Sequence, residues 1–488
     1  MITRSGSFID GVWHESKNSE TVSIIDPHSE ALFAKVAVSD IEQVDAAVES
    51  AQRALDGDWS RTPLEERVAI VQRICDLLYA RKDELADYST HSMGAPYQIA
   101  RYLGGSAELI DMYVDSIRKI KLDFVRNDRY GNSLVSRKPV GVVAAIVPWN
   151  APVRSEIKKV IPALLAGCSV VLKPAPETPL GAAVLAEICV QAGLPAGALN
   201  VVFGAGSVGE ALIQHRGVRK IAFTGSTATG TRIASLAGAQ SKRVQLELGG
   251  KSAAILLDDV DLTSAMPVLA MTAWANSGQA CVANTRVLAP RSRYDEVVDA
   301  YVAAASAEVV GDPMDPATTL GPLVSHRQVE RVMSYIGQGL SQGARLVAGG
   351  GRPDGVGTGF YVRPTVFADV DNKMTIAQEE IFGPVTAIIP YDSDAEAVAI
   401  ANDSDYGLAG SVMGVDEDRA LEIARQIDSG SVAVNGFYPP ASSPFGGVKL
   451  SGVGREHGPE GYDAFLEYAS YRLTPGLAAR LSRELPPG

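Results

Sequence analysis

Cys281 has the clearest potential for covalent chemistry in this sequence. It closes the stretch Asn276-Ser-Gly-Gln-Ala-Cys281, whose small residues permit a tight turn and the close approach of a ligand. That setting suits a nucleophilic thiolate, although a buried thiol is also a common inert core residue. The four cysteines, Cys75, Cys168, Cys189 and Cys281, show neither CxxC spacing nor the density of a disulfide framework. We therefore expect a reducing compartment and no metal site.

Glu247 is the main candidate for acid–base chemistry. It lies in LELGGK, residues 246–251, a short apolar segment that ends in two glycines. Apolar surroundings raise the pKa of a carboxylic acid and bring it toward the range that suits a general base. A carboxylate paired for structural reasons would fit the same segment, so this residue alone leaves both roles open.

Two glycine motifs are candidates for binding a dinucleotide. Gly204-Ala-Gly-Ser-Val-Gly209 follows the predicted strand LNVVF, but the acidic residue expected about 20 positions further on is missing. Gly225-Ser-Thr-Ala-Thr-Gly230 also follows a predicted strand and opens a predicted helix, where backbone N–H groups favour a phosphate. A plain turn is the alternative interpretation of the second motif.

Alternating strands and helices must position these residues. Between residues 142 and 257, helical stretches separate the short apolar runs VVAAIV, SVVLK, LNVVF, RKIAFTG and AAILL. This alternation predicts a doubly wound parallel sheet, in which ligands bind beyond the carboxyl ends of the strands. We therefore expect PWN at 148–150, Lys173 and the glycine motifs to converge. A helical region at 41–122 precedes the sheet, and a second α/β pattern at 262–431 follows it.

Composition limits the classes of partner and location. The chain has 488 residues, 46% of them hydrophobic, and a formal net charge of -13. A chain of this length predicts several domains, and the negative charge disfavours binding to nucleic acid or to an anionic membrane. The first residues lack the apolar stretch of a secretory signal, and no run approaches the roughly 20 apolar residues of a membrane span. We expect a cytoplasmic protein.

Seven motifs together resemble the aldehyde dehydrogenase superfamily in both order and spacing. They are VPWN (147–150), LKPAPETP (172–179), FTGSTATG (223–230), LELGGKS (246–252), SGQAC (277–281), EEIFGP (379–384) and SPFGGVKLSGVGRE (443–456). FIDGVW near the start and YDAFLEYASYR near the end extend the resemblance over nearly the whole chain. It implies an α/β fold of the aldehyde dehydrogenase type. It also implies oxidation of an aldehyde to a carboxylic acid, with hydride transfer to NAD(P).

The resemblance implies a catalytic role for five residues. Cys281 matches the nucleophile that forms a thioester, and Glu247 matches the base that activates the hydrolytic water. Asn150 matches the amide that shares an oxyanion hole with the backbone N–H of Cys281. Lys159 and Glu456 resemble a relay that passes the proton to solvent.

It also implies the residues that bind the cofactor. Lys173 matches a ribose-binding lysine, Ser226 a pyrophosphate contact, and Glu380 and Phe382 the nicotinamide end. The full predicted set is Ile146, Trp149, Asn150, Lys173, Glu177, Gly206, Gly225, Ser226, Gly230, Glu380 and Phe382.

One position departs from the family pattern. NAD-selective members usually carry a glutamate three residues after the lysine, where this chain has Pro176, with Glu177 one place later. A carboxylate beside the ribose repels a 2′-phosphate, so its displacement weakens selectivity. We expect NAD as the cofactor, with NADP as the alternative.

The family also implies a division into domains. A nucleotide-binding domain would comprise residues 1–118 and 140–249, and a catalytic domain residues 250–445. Residues 119–139, with a strand at 124–139, and residues 446–488 would form an oligomerisation arm and the C-terminal segment. Because an exposed strand edge recruits a partner, we expect a homodimer or a homotetramer.

Two other functions compete with hydrolytic oxidation. Transfer of the acyl group to coenzyme A is disfavoured because acylating members typically lack the glutamate that Glu247 matches. A structural protein that reuses the fold, as some lens crystallins do, would have lost part of the catalytic set, whereas Cys281, Glu247 and Asn150 are all present.

The substrate is the least defined feature. By resemblance, the aldehyde channel would be lined by Ala151, Arg154, Ser155, Lys158, Ala275, Ala280, Val282, Tyr438 and Phe445. Several of these side chains are smaller than the aromatic residues that narrow the channel in members acting on acetaldehyde. A wide channel predicts aromatic or long-chain aldehydes. Arg154 allows a second interpretation, in which its guanidinium pairs with a carboxylate of the substrate, or it faces solvent.

Overall fold

The fold is described from a computed structural model, which covers residues 1–437 and 439–485. Its strands, in chain order, are β1 (Ile2–Arg4), β2 (Gly6–Ile9), β3 (Val12–Glu15), β4 (Thr21–Ile25), β5 (Leu32–Ala37), β6 (Asp123–Asp128), β7 (Gly131–Pro139), β8 (Val142–Ile146), β9 (Ser169–Lys173), β10 (Leu199–Val201), β11 (Val218–Thr224), β12 (Arg243–Glu247), β13 (Ala253–Leu256), β14 (Arg286–Pro290), β15 (Arg345–Ala348), β16 (Thr365–Ala368), β17 (Val385–Tyr391), β18 (Tyr406–Gly407), β19 (Ala409–Met413), β20 (Ser431–Val434), β21 (Val448–Lys449), β22 (Gly452–Val453) and β23 (Leu466–Leu473).

The helices, in chain order, are α1 (Ile41–Asp56), α2 (Leu64–Ala80), α3 (Lys82–Met93), α4 (Tyr97–Gly105), α5 (Ala107–Arg118), α6 (Pro152–Leu165), α7 (Leu180–Gln191), α8 (Gly206–Gln214), α9 (Thr227–Gly238), α10 (Leu262–Trp274), α11 (Tyr294–Ala307), α12 (His326–Ser341), α13 (Thr375–Gln378), α14 (Asp394–Asn402), α15 (Glu417–Ala424) and α16 (Pro475–Glu484). In residues 1–437 and 439–485, no helix is long and apolar enough to span a membrane.

The first sheet has eight strands in the order β22-β12-β11-β8-β9-β10-β2-β3. Its five central strands, β12 to β10, are parallel, and antiparallel strands close both ends. This agrees with the doubly wound sheet predicted from the alternating runs, with one exception. The run AAILL forms β13, which lies in the second sheet between β14 and β19. A fully buried apolar strand has the same pattern in either sheet, so periodicity could not assign it.

The second sheet has seven strands in the order β15-β16-β17-β14-β13-β19-β20. All of its pairs are parallel except the edge pair β15–β16. Apolar side chains pack on both of its faces in two separate clusters, whereas the first sheet and its helices share one cluster. The chain passes from the first core to the second between Leu248 and Ala253. The predicted domain limits themselves remain a prediction.

A third sheet has the order β23-β7-β6. The strand predicted at 124–139 is wrong as a single element, because the chain turns at Arg129 and Tyr130 and forms the antiparallel hairpin β6–β7. β7 then pairs along its whole length with β23 from the C-terminal region. The sequence Asp128-Arg-Tyr-Gly131 supplies the turn, and Gly131 has a φ of 138°, which favours glycine.

Candidate active site

A cleft of about 420 Å³ lies at the carboxyl ends of the first sheet's parallel strands. It is lined by Pro148, Trp149, Asn150, Thr224, Gly225, Ser226, Leu248, Gly249, Cys281, Arg327, Gln328, Arg331, Glu380 and Phe382. The strand ends of β8, β11 and β12 form one side, and residues of the second α/β region form the other. Residues that are distant in the sequence therefore meet here, as expected for the open end of a parallel sheet.

The turn before Cys281 is held in an unusual backbone conformation. Asn276, Ser277 and Gly278 all have positive φ angles, of 55°, 57° and 71°. The Ser277 hydroxyl donates a hydrogen bond to the Gly321 carbonyl at 2.7 Å. A Cβ on Gly278 would lie 2.2 Å from the Gly383 carbonyl oxygen, so only glycine fits at that position. This turn positions the thiol in the wall of the cleft.

Asn150 is linked directly to that turn. Its side-chain Nδ2 donates to the Gln279 carbonyl at 2.9 Å, and Asn276 Nδ2 donates to the Asn150 carbonyl, also at 2.9 Å. An amide nitrogen carries two hydrogens, so Asn150 has a second donor beyond the bond to Gln279. Its predicted role at the oxyanion requires that second hydrogen.

Burial dominates the electrostatics of Cys281. It raises the pKa of the thiol to about 12, and the carboxylates of Glu380 and Glu247 act in the same direction. The ammonium group of Lys158 has the opposite effect and is the strongest charge acting on the thiol. In this state the thiol is neutral, and Lys158 favours its ionised form.

Glu247 is the last residue of β12 and is buried. Neither of its carboxylate oxygens has a hydrogen-bond partner among the residues that the structure describes. Burial raises its pKa well above the ordinary value, and the nearby charge of Glu456 adds to that shift. Gly446 provides the room for this side chain, because a Cβ there would lie 2.7 Å from Oε1 of Glu247. The raised pKa makes the carboxylate form of Glu247 a stronger base than an ordinary glutamate.

Glu456 joins two lysines behind Glu247. Its Oε1 lies 2.5 Å from Nζ of Lys159, which is fully buried, and its Oε2 lies 3.8 Å from Nζ of Lys158, which is half-buried. Burial acts to raise the pKa of Glu456, but the two lysines outweigh it and lower that pKa. The two groups predicted as a relay are therefore in contact, and Lys158 extends the chain of charges toward solvent.

The far side of the cleft carries Glu380 and Phe382. Oε1 of Glu380 accepts a hydrogen bond from the Gly250 backbone N–H at 3.0 Å. A Cβ on Gly249 would lie 2.7 Å from the other carboxylate oxygen, so this glycine allows the carboxylate to approach. Phe382 packs edge-on against Trp149, with ring centroids 5.4 Å apart.

Three residues of α12 line the cleft and were not predicted from the sequence. Gln328 donates to the Phe382 carbonyl at 2.8 Å, and Arg331 donates to the carbonyls of Glu380 and Ile381. Arg327 is highly exposed at the rim. The spacing of Gln328 and Arg331 puts them on one helix face, but that pattern is equally typical of a solvated helix. The position of Gln328 and Arg331 in the cleft wall follows only from the packing of α12 against residues 379–384.

The remaining predicted cofactor residues lie at the ends of β8 and β9, between β9 and α7, and around the starts of α8 and α9. Ser226 is the N-cap of α9, and its hydroxyl accepts from the Thr229 backbone N–H at 3.3 Å. Gly225 and Ser226 line the cleft, whereas Ile146, Lys173, Glu177, Gly206 and Gly230 are not among its lining residues. Gly230 instead packs under Leu248, since a Cβ there would lie 2.3 Å from Cδ2 of Leu248. Gly206 opens α8 with no neighbour within 4 Å of a Cβ.

Lys173 and Glu177 lie close together, although Glu177 is one position later than the glutamate of the family pattern. Lys173 is buried, which lowers the pKa of its amine to about 8, and the charge of Glu177 opposes that shift. Its Nζ donates to the Pro174 carbonyl at 2.9 Å. Glu177 is half-buried and lies 3.8 Å from Arg327. A carboxylate is therefore present beside the predicted ribose lysine.

The predicted channel residues have different exposures. Ala151, the N-cap of α6, is half-buried, as are Arg154 and Lys158 within that helix, whereas Ser155 and Phe445 are buried. Ala275, Ala280 and Val282 are half-buried beside the cysteine turn. Tyr438 lies outside the residues that the structure describes.

The fold and the cleft together define an α/β enzyme that binds a dinucleotide beside a cysteine. The open strand ends, the capped N-terminus of α9 with Gly225, and the carboxylate of Glu380 fit such a cofactor.

Comparison with known proteins identifies the family. The model of the aldehyde dehydrogenase family matches residues 13–471. Geranial dehydrogenase of Castellaniella defragrans is 44% identical over 470 residues, which cover 96% of this chain and 98% of that protein. An aldehyde dehydrogenase of Mycobacterium tuberculosis, solved with NAD+, superimposes with a TM-score of 0.92 at 46% identity, covering 97% of this chain and 99% of the other.

A third relative is an aldehyde dehydrogenase C variant of Pseudomonas syringae, solved with NAD+ and octanal. It has a TM-score of 0.92 and 41% identity, covering 96% of this chain and 97% of the other. The chain belongs to the aldehyde dehydrogenase family and is an NAD(P)-dependent enzyme that oxidises an aldehyde to a carboxylic acid.

Proposed function

We propose that this enzyme oxidises aromatic or long-chain aldehydes through a thioester on Cys281, which is hydrolysed by water that Glu247 activates. It works in the cytoplasm as a homodimer or a homotetramer. The observation that carries the catalytic part is the pairing of Cys281, in the cleft wall, with a buried Glu247 whose two oxygens have no partner in the described residues. A carboxyl group kept in this state suits a base better than a structural anchor, because a structural carboxylate is normally paired.

The first half-reaction needs a thiolate and a stabilised oxyanion. The Cys281 thiol first loses its proton to water, an ionisation that the charge of Lys158 favours, and the thiolate sulfur then attacks the aldehyde carbon. A C–S bond forms, the π bond of the carbonyl breaks, and the oxygen takes the negative charge. The backbone N–H of Cys281 and the second hydrogen of Asn150 Nδ2 donate to that oxygen. Collapse of the oxyanion expels hydride with its electron pair and leaves the thioester. The nicotinamide ring of bound NAD would supply the acceptor for that hydride.

The second half-reaction needs a proton acceptor. Glu247 takes a proton from the water that attacks the thioester carbonyl, and the C–S bond breaks to release the acid and the thiolate. Glu456 and Lys159, in contact at 2.5 Å, lie beside Glu247 and pass the proton outward. Lys158, half-buried and 3.8 Å from Glu456, stands at the solvent side of this group.

NAD is the cofactor, and the residues present would hold both of its ends. Glu380 and Phe382 would hold the nicotinamide half, and Gly225 and Ser226 the pyrophosphate. The neighbouring Lys173 and Glu177 would bind the adenine ribose, and Glu177 would repel a 2′-phosphate. Because Arg327 lies 3.8 Å from Glu177 and partly neutralises it, we expect only a modest preference for NAD over NADP.

The substrate class rests on the size of the side chains along α6 and the cysteine turn. Ala151, Ala275 and Ala280 leave room beside Cys281, and burial of apolar surface stabilises binding by about 25 cal/mol per Å². The relatives named for geranial and solved with octanal act on or bind aldehydes of eight or more carbons, which supports the long-chain part of the proposal.

One assay tests the proposed function. The purified protein is incubated with acetaldehyde, benzaldehyde or decanal, with NAD or NADP, in the absence of coenzyme A and in ¹⁸O-labelled water. We expect the acid to carry at least one labelled oxygen, since the aldehyde oxygen also exchanges with water through the hydrate. We also expect the highest kcat/KM for benzaldehyde or decanal and better use of NAD. No turnover without coenzyme A would contradict hydrolysis, and the best kcat/KM for acetaldehyde would contradict a wide channel.

A further inference from the structure

A half-buried face of α6 leads away from Asn150. Ala151 is the N-cap of this helix, and in its first two turns only Arg154 and Lys158 are half-buried, whereas the other residues between 152 and 159 are buried. The spacing of four residues puts Arg154 and Lys158 on one face of α6, and Ala151 precedes the first residue of the helix. Ala151 follows Asn150 directly, so an aldehyde held at Cys281 and Asn150 would extend along this face. This step rests on the proposed function.

Aromatic rings connect this face to two buried polar groups. Nζ of Lys158 lies 4.8 Å from the centroid of the Phe445 ring, and that ring lies 5.6 Å from the ring of His457. His457 in turn lies 6.0 Å from the ring of Tyr113 on α5. We call Arg154, Lys158, Tyr113 and His457 the donor cluster.

Three members of the donor cluster have a buried polar atom without a hydrogen-bond partner among the described residues. These atoms are Nη1 of Arg154, the hydroxyl oxygen of Tyr113 and Nε2 of His457. Tyr113 and His457 are only 1% and 3% exposed, so these polar groups are shielded from solvent. Buried polar groups without partners are costly, and a concentration of them indicates a ligand that supplies the missing bonds.

The side chains of the donor cluster act mainly as hydrogen-bond donors, so they favour a ligand that accepts hydrogen bonds and carries negative charge. A guanidinium and an ammonium only donate, a tyrosine hydroxyl donates readily, and an imidazole donates from Nε2 in one tautomer. Burial, helped by the charges of Lys158 and Arg154, lowers the pKa of His457 to about 3, so this residue adds no charge.

The charges around the donor cluster do not balance. Lys158 and Lys159 share the single carboxylate of Glu456. Arg154 lies 3.6 Å from Glu108, which is more than half exposed and therefore compensates the guanidinium only weakly. Glu247 is a third carboxyl group near the two lysines, but its raised pKa favours the neutral form, so positive charge exceeds negative charge around the donor cluster.

We propose that the donor cluster binds a carboxylate at the far end of the substrate, so that this enzyme prefers aldehyde acids to neutral aldehydes of the same shape. The carbon skeleton, aromatic or aliphatic, lies along Ala151 and Phe445, and the carboxylate reaches Arg154 and the Tyr113 hydroxyl. A charge-assisted bond to a partly buried guanidinium is strong enough to discriminate by about tenfold.

Substrate pairs of equal shape test this inference. The values of kcat/KM are measured for 4-formylbenzoate against 4-formylbenzamide, and for 6-oxohexanoate against 6-oxohexanamide, each with NAD. We expect at least one acid to exceed its amide by about tenfold, because the amide lacks the charge but fills the same space. If every amide is used as well as its acid, the inference is overturned. If neither member of any pair is oxidised while benzaldehyde or decanal is, the inference is overturned and the proposed function stands. If none of these aldehydes is oxidised, the proposed function fails.

Variants then assign the preference to the donor cluster. Arg154→Leu is expected to reduce the acid-to-amide ratio of kcat/KM by about tenfold. Tyr113→Phe removes a hydroxyl without a partner in the described structure, so the fold is kept while the ratio falls about threefold. Arg4→Leu is the matched control, because Arg4 also has a buried guanidinium nitrogen without a hydrogen bond and pairs with Glu187 at 3.0 Å. A ratio unchanged in both cluster variants would overturn the assignment.

Discussion

Glu247 and Cys281 differ in the step at which each is needed. Acylation of Cys281 with loss of hydride precedes the entry of water, whereas the base acts only on that water. We therefore expect Glu247→Gln to keep a first burst of NADH, close to one equivalent per active site, and to slow later turnovers at least about a hundredfold. Stopped-flow absorbance at 340 nm measures both phases.

The NADH burst distinguishes a catalytic base at Glu247 from a carboxylate with a structural role. Glu467→Gln is the control, because Glu467 is a glutamate that pairs with Arg243 far from the cleft, and it should keep both phases. A Glu247→Gln enzyme without a burst but with a normal steady rate would contradict the proposed base.

At the scale of single residues, the motifs around Cys281, Glu247 and Glu380 could be found in the sequence because each consists of consecutive residues. The cleft brings Trp149, Asn150, Gly225, Cys281 and Phe382 together as expected from their motifs. Gln328 and Arg331 could not be predicted, because their contacts are backbone carbonyls of a segment some 50 residues away. No pattern in the sequence encodes such a contact.

At the scale of elements, the turn that carries the thiol depends on Gly278. Its φ of 71° and the 2.2 Å approach of a Cβ to the Gly383 carbonyl predict that Gly278→Ala strains the turn and moves residue 383. We expect a loss of about 1–3 kcal/mol in the free energy of unfolding and a large loss of kcat. Urea unfolding and steady-state assays measure the two effects.

Gly337 provides the matched control for that substitution. It lies inside α12 with nothing within 4 Å of a Cβ. Gly337→Ala should therefore raise stability by about 0.5–1 kcal/mol, since alanine loses less backbone entropy in a helix. Equal effects of the two substitutions would show that the Cys281 turn carries no special constraint.

The packing of α6 against α7 contains a buried acid. Glu156 is fully buried, its two oxygens have no hydrogen-bond partner in the described residues, and each lies 3.4 Å from the Cβ position of Gly181. Burial raises the pKa of Glu156 from 4.5 to about 8. Between these values the unfolded chain releases the proton and the folded chain keeps it. The folded state then binds more protons, so stability falls as pH rises.

We expect Glu156→Gln to remove this pH dependence. Each pH unit between 4.5 and 8 costs the wild type about 1.4 kcal/mol through this group, and glutamine does not ionise. Urea unfolding at pH 6 and pH 8 should therefore show a smaller decline for Glu156→Gln than for the wild type. The exposed Glu49 gives the control variant Glu49→Gln, which should decline like the wild type. An identical decline in all three proteins would contradict the neutral buried acid.

The elements that were predicted correctly have a regular pattern of apolar residues along the sequence. The helical region predicted at 41–122 contains α1 to α5, and the runs VVAAIV, SVVLK and RKIAFTG contain β8, β9 and most of β11. The assignment of β13 to the second sheet and the β6–β7 hairpin were not predicted, because they depend on which strands meet in space. A turn such as Arg129-Tyr130 has no strong signal of its own beyond the following Gly131.

At the scale of the whole molecule, the β23-β7-β6 sheet is the surface with the features of a subunit contact. Strand β6 is a sheet edge, and Tyr468 and Tyr471 of β23 are exposed large side chains on the same sheet. An edge of this kind pairs readily with another chain. We expect sedimentation velocity at micromolar concentration to show a dimer or a tetramer. A monomer would contradict the proposed oligomerisation arm.

The most direct test of covalent catalysis in this enzyme is the turnover of Cys281→Ala. Alanine removes the sulfur that forms the covalent bond but leaves the cleft residues that would bind NAD, among them Glu380, Phe382 and Ser226. With saturating NAD and the best aldehyde, we expect NADH formation to fall to the background rate while calorimetry still detects NAD binding. Steady NADH formation above background by a variant that binds NAD would contradict covalent catalysis at Cys281.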